Sequence, residues 1–102
     1  MLKWDRNRKT AKSILDRIGY TPMVRLNRVT AEVEPEICVK LEYFSPSGSL
    51  KDRIYLNMIE KAERRGDLKK GMTILECSTG NAGIACSFVA AVKGYSCIIV
   101  MP

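Results

Sequence analysis

The chain contains no histidine, and its four cysteines, Cys38, Cys77, Cys86 and Cys97, include no Cys-x-x-Cys pair. Without imidazoles or paired thiolates a zinc site is not expected. No apolar run approaches membrane length and no signal-peptide pattern opens the chain, so neither a membrane span nor export is expected. The expected location is the cytoplasm, where thiols stay reduced. Cys38, Cys86 and Cys97 accordingly read as small buried hydrophobes, while Cys77 borders a polar turn and is left open. Neither Gly-x-Gly-x-x-Gly nor a Walker loop occurs, which removes both nucleotide motifs. Trp4 stands alone among the basic residues around it, with no aromatic interleaving, so no nucleic-acid partner is expected. There is no internal repeat, low-complexity tract or linker.

What is present fits one domain at most. A chain of 102 residues has room for a thin core only. With 46% hydrophobic and 27% charged residues it is globular rather than disordered. Much of the net charge of +6 comes from Lys3, Arg6, Arg8, Lys9 and Lys12, opposed by Asp5 alone. Residues 1–13 therefore read as a basic extension that lies on a neighbouring surface, such as a partner subunit. Ser13 and Asp16 stand in capping-box spacing for a short helical turn. Strands are expected over 23–26 and 37–41, with a polar loop between them. A further strand over 73–77, a helix over 84–93 and an apolar strand over 96–101 make one βαβ unit of a parallel sheet.

Residues 45–53, Ser-Pro-Ser-Gly-Ser-Leu-Lys-Asp-Arg, form a tight loop followed at once by a helix. Pro46 and Gly48 shape the loop. Ser49 and Asp52 have the spacing of a capping box. Leu50, Ile54, Met58 and Ala62 continue as one apolar stripe, and Gly66 ends the helix. Lys51 falls in the first turn, where the helix dipole disfavours a cation by about 0.3–1 kcal/mol. That is too little to free the amine of its proton. Burial can do so, and a buried lysine rimmed by hydroxyls suits Schiff-base chemistry with a carbonyl cofactor. From this stretch alone the favoured reading is a lysine that snorkels to water.

Residues 78–83, Ser-Thr-Gly-Asn-Ala-Gly, are a hydroxyl- and glycine-rich turn between a strand and a helix. Free backbone N–H groups at such a turn cradle an anion, and Gly80 lets the ligand approach closely.

Together these stretches resemble the cysteine synthase and cystathionine β-synthase family, fold type II enzymes dependent on pyridoxal 5'-phosphate (PLP). Ser-x-Ser-x-Lys-Asp-Arg followed by Ser-Thr-Gly-Asn-x-Gly carries the resemblance. Ile-Gly-Tyr-Thr-Pro-Met-Val-Arg-Leu over residues 18–26 is similar to the family's opening segment. The resemblance implies an α/β fold, part of a tryptophan synthase β-like PLP enzyme, a small amino-acid substrate and a homodimer. It implies that Lys51 binds PLP as an imine and that Asn81 hydrogen-bonds the cofactor's ring hydroxyl. It further implies that Ser78, Thr79, Gly80, Asn81 and Ala82 grip the substrate's α-carboxylate. Ala82 stands where the family often has Thr, which removes a side-chain donor. Ser78-Thr79 replaces Thr-Ser, a swap of hydroxyls.

The implied reaction is PLP-dependent β-replacement: O-acetylserine and sulfide give cysteine and acetate. The other readings are cystathionine synthesis or threonine elimination in the same fold, a non-catalytic fragment, and a small basic binding module. The apolar strand that precedes Pro102 asks for cover on both faces. The sequence is therefore expected to be the N-terminal portion, residues 14–102, of a longer two-domain enzyme, and inactive alone.

Overall fold

The computed structural model describes residues 10–102, so all but the last four residues of the basic extension lie outside the described residues. Ser13 caps a 3-10 turn, Ile14–Arg17, by accepting Leu15 N–H, while its own N–H donates to Asp16. Strands β1, Met23–Arg25, and β2, Cys38–Lys40, pair antiparallel with Val24 opposite Val39. Backbone bonds from Leu26 to Ile37 and from Leu41 to Pro22, both 2.9 Å, extend this ladder beyond the strands proper.

The second half is the expected βαβ unit, preceded by a helix. Helix α1 spans Lys51–Arg65, β3 spans Thr73–Cys77, α2 spans Asn81–Lys93 and β4 spans Ser96–Val100. β3 and β4 are parallel, in register from Thr73 opposite Ser96 to Cys77 opposite Val100. The buried cluster is made of Tyr55 and Ile59 from α1 and Ala85, Cys86 and Val89 from α2. Two polar clamps align the helices. Tyr55, early in α1, donates to Glu76 near the carboxyl end of β3 at 2.6 Å. Glu63, late in α1, accepts from Lys93 at 2.8 Å and from Tyr95 at 2.9 Å. The helices therefore run the same way, and both N-termini lie at the carboxyl end of the parallel strands, where open α/β sheets place their ligands.

Four expectations are corrected. First, α2 begins at Asn81 and not at Ile84, so Asn81, Ala82 and Gly83 form its first turn. The Ser78 hydroxyl accepts Gly83 N–H at 2.9 Å and so caps the helix early. Gly83 makes this possible, since a Cβ there would sit 3.1 Å from Ile99 Cγ2 and 3.3 Å from Ser78 Cβ. Second, the stripe of Leu50, Ile54 and Met58 is exposed, and α1 buries Asp52, Tyr55 and Ile59 instead. Third, Ser49 and Asp52 do not close a capping box: helical backbone begins at Leu50, Ser49 Oγ accepts from Lys51 N–H, and Asp52 turns back to Ser47. Fourth, Cys38 is exposed, its thiol facing Glu36 at 3.6 Å on an uncovered hairpin.

The helices cover one face of the parallel pair, facing Ile74, Cys97 and Ile99. The opposite face is open, with Leu75 68% and Ile98 55% exposed, beside Val100. The radius of gyration, 17.1 Å, exceeds the roughly 13 Å of a compact chain of this length. Such an apolar sheet face drives association. The 102-residue chain is expected to sediment as associated species, and Leu75→Lys with Ile98→Lys to shift it toward monomer without loss of helix signal. A monomeric wild-type profile would contradict this account of the face.

Candidate active site

The turn after β3 uses part of its own hydrogen-bonding capacity. Ser78 N–H donates to Val100 O at 3.0 Å, which fixes the turn to the end of β4. Ser78 Oγ accepts from Gly80 N–H at 3.2 Å and from Gly83 N–H at 2.9 Å. Among the described residues, the N–H groups of Thr79, Asn81 and Ala82 have no partner. They lie at the positive end of a helix of 13 residues, where an anion is favoured.

Beside them is an open cavity of about 440 Å³ lined by Ser78, Thr79, Gly80, Gly83, Ile84, Ser87, Ile99 and Met101. Gly80 faces open space, with nothing within 4 Å of where its Cβ would stand. Any side chain there would project into the space a ligand needs. Of the expected site residues, Ser78, Thr79 and Gly80 line this cavity, whereas Asn81, Ala82 and Lys51 do not. The expected set omitted Gly83, Ile84, Ser87, Ile99 and Met101. Gly80, Gly83 and Ser87 follow at helical spacing, the one signal in the sequence that points to Ser87.

Lys51 opens α1 at the same end of the sheet. It is half-buried, and among the described residues its amine has no hydrogen-bond or ion-pair partner. The loop before it is held by Asp52, which is fully buried and accepts from Ser47 N–H at 2.8 Å and from the Ser47 hydroxyl. In the same loop the Ser45 hydroxyl is buried with no partner.

Arg53 ties three separated stretches together. It bonds both oxygens of Glu42 at 3.0 Å, and also Gly19 O and Thr21 Oγ1 at 3.1 Å. Thr21 in turn donates to Glu42 at 2.8 Å, and Lys40 donates to Thr21 O. A bidentate arginine is directional as well as attractive, so the hairpin is set at a fixed angle to the first turn of α1. In the βαβ unit Cys77 is exposed, whereas Cys86 and Cys97 are packing groups. Cys86 is buried 3.7 Å from Cys97, and burial pushes its thiol up to about 12.

The Arg53 guanidinium and then the Thr21 hydroxyl hold the Glu42 carboxyl below its ordinary 4.5. The fold therefore favours its charged form. The stability it contributes is complete above about pH 4.5 and is lost as pH falls through the lowered value. Glu42→Gln should cost stability at neutral pH, and the gap to wild type should close on acidification below that point. Urea unfolding across a pH series checks this; a gap independent of pH would mean that the carboxylate charge carries no stability.

A family model described as pyridoxal-phosphate dependent enzyme matches residues 14–102. Cystathionine beta-synthase of Rattus norvegicus is 55% identical over 96 residues, covering 92% of this chain and 17% of that protein. Cysteine synthase B of Pseudomonas aeruginosa is 49% identical over 90 residues, covering 88% of this chain and 30% of that protein. Among solved structures, cysteine synthase from Entamoeba histolytica matches with a TM-score of 0.86 and 43% identity, over 93% of this chain and 29% of that one. The chain thus spans less than a third of the length of each relative.

Proposed function

Because the chain belongs to the family of pyridoxal-phosphate dependent enzymes, we propose that it supplies the cofactor lysine and the carboxylate-binding loop of a β-replacement enzyme. Cysteine synthesis from O-acetylserine and sulfide is the reading supported best. The observation that carries it is the pairing of two helix N-termini at one end of the sheet, one opened by Lys51 and the other by the N–H groups of Thr79, Asn81 and Ala82. Residues 14–102 form the catalytic portion and residues 1–13 a basic extension.

The residues present fit PLP. Lys51 has an amine without a competing partner, Gly80 leaves space, and the Ser45 hydroxyl is buried and unmatched in the loop before Lys51. Lys51 would hold the cofactor and Asn81 would hydrogen-bond its ring hydroxyl. When bound, PLP supplies an electron sink for the pair released as the substrate's α-proton leaves. In this reading Lys51 Nζ takes that proton. Ser78, Thr79, Gly80, Asn81 and Ala82 hold the substrate's α-carboxylate, which positions the α-carbon for that transfer. The net exchange replaces acetate by a thiol on the β-carbon.

A second reading, cystathionine formation by the same β-replacement, is favoured by the 55% identity to the rat enzyme. Product analysis with sulfide and with homocysteine as competing nucleophiles separates the two. The proposal includes a homodimer, which the resemblance to the family implies, and a cytoplasmic location, suited to four free thiols. No described helix is long and apolar enough to cross a membrane.

Borohydride treatment of the PLP-loaded protein should fix the cofactor on the peptide containing Lys51. In the intact enzyme that this chain is proposed to serve, Lys51→Ala should lose the cofactor's visible absorption and nearly all turnover while still folding, because helices accept Ala readily. Label on Lys40, Lys69 or Lys70 instead would overturn the assignment.

In that intact β-replacement enzyme, Asn81→Ala should leave the melting temperature nearly unchanged and lower kcat/KM roughly ten- to a hundred-fold, the worth of a charge-assisted hydrogen bond of about 1.5–3 kcal/mol. Unchanged kinetics would remove this residue from the site.

A further inference from the structure

Tyr55 lies one turn after Lys51 on α1, on the same side of the helix. Its ring is in the core, 7% exposed, yet its hydroxyl reaches out to Glu76 Oε2 at 2.6 Å. The other oxygen of Glu76 accepts Cys77 N–H at 2.9 Å. Cys77 is in register with Val100, whose carbonyl receives Ser78 N–H. An unbroken path therefore runs from the helix that carries Lys51, through a phenol and a carboxylate, into the backbone that opens the Ser78 turn. The Glu76 hydrogen bond, with burial, pushes the phenol up to about 12, so it remains a donor at every working pH.

The structure assigns Tyr55 as a positioning residue: through Glu76, its hydroxyl sets where the carboxylate loop of residues 78–82 stands relative to Lys51. The assignment rests on the reading of that loop as the substrate carboxylate site. Its chemical basis is that helix packing alone is adaptable, since the facing groups are small: Ala85, Cys86 and Val89. A short hydrogen bond to a carboxylate is directional. Without it, α1 and α2 keep their apolar contact but lose a fixed distance between the two helix N-termini. Displacement of the loop misplaces the amino acid held by it, and placement errors of this kind weaken binding and transfer.

The test compares wild type with Tyr55→Phe, which keeps the ring and removes the hydroxyl. Both are loaded with PLP, and L-serine is titrated as the probe while the amide resonances of Thr79, Asn81 and Ala82 are followed. The variant should take borohydride label on Lys51 as wild type does. It should need roughly ten-fold more L-serine for half-saturation, the scale set by one hydrogen bond to a charged group. Adding Glu76→Gln to Tyr55→Phe removes the carboxylate left unmatched, and should restore melting temperature but not L-serine affinity. Half-saturation equal to wild type in Tyr55→Phe, or full recovery of affinity in the double variant, would overturn the assignment and leave Tyr55 a stabilising contact. Wild-type protein that is labelled on Lys51 but shows no amide response to L-serine would defeat the carboxylate reading itself, and this assignment with it. That failure is recognised in the wild-type arm alone.

Discussion

The structure around Lys51 depends on one buried charge. Asp52 has no exposed surface, and a carboxylate removed from water costs several kcal/mol unless its oxygens are matched. Ser47 matches both oxygens, one through its backbone N–H and one through its hydroxyl, and the first turn of α1 adds the favourable end of the helix dipole. The Ser-Pro-Ser-Gly-Ser loop is thereby folded back against its own helix. Lys51, the residue before Asp52, cannot move without disturbing that arrangement. The residue after Asp52, Arg53, is fixed from outside by Glu42, Gly19 and Thr21. A lysine followed directly by two anchored residues starts from a defined backbone position, which is what the proposed cofactor site requires.

At the second helix the same economy is visible with hydroxyl in place of carboxylate. Ser78 satisfies two N–H groups and leaves three free. Had the Ser78 hydroxyl been aimed elsewhere, five N–H groups would point at solvent and the start of the helix would fray. The serine thus selects which donors remain for a ligand. Gly83, pressed against Ile99 and Ser78, is the spatial condition for that choice.

Much of this was legible in the sequence, because the informative residues act locally. Ser13 with Asp16, the glycines that end the helices, and the strand–turn–helix of residues 73–93 announce themselves over a few positions. The parallel βαβ unit followed from apolar strands flanking an apolar helix. Less legible was anything settled by distant neighbours. The sequence of α1 has two apolar stripes, and only packing against α2 decides that Tyr55 and Ile59 are inside while Leu50, Ile54 and Met58 are outside. The role of Asp52 was misread because its partner, Ser47, lies five residues back rather than in the capping-box position. The helix start at Asn81 depends on a side chain three residues earlier. Of the candidate site, the Ser78 turn between strand and helix was readable from composition, whereas the apolar wall of Ile84, Ile99 and Met101 required the β4 strand to be in place.

The buried cluster draws all its residues from α1 and α2, and the β1–β2 hairpin contributes none. The hairpin is held instead by the fan of polar contacts from Arg53, Glu42, Thr21 and Lys40. These two kinds of attachment have different opening free energies. Separation of α1 from α2 exposes the core and amounts to global unfolding, whereas the hairpin can swing away at the cost of a few solvent-exchangeable hydrogen bonds. Amide exchange in β1 and β2 should then proceed by local opening while α2 and β4 stay protected. The hairpin is thus a part of the described chain that can open while the core stays shut.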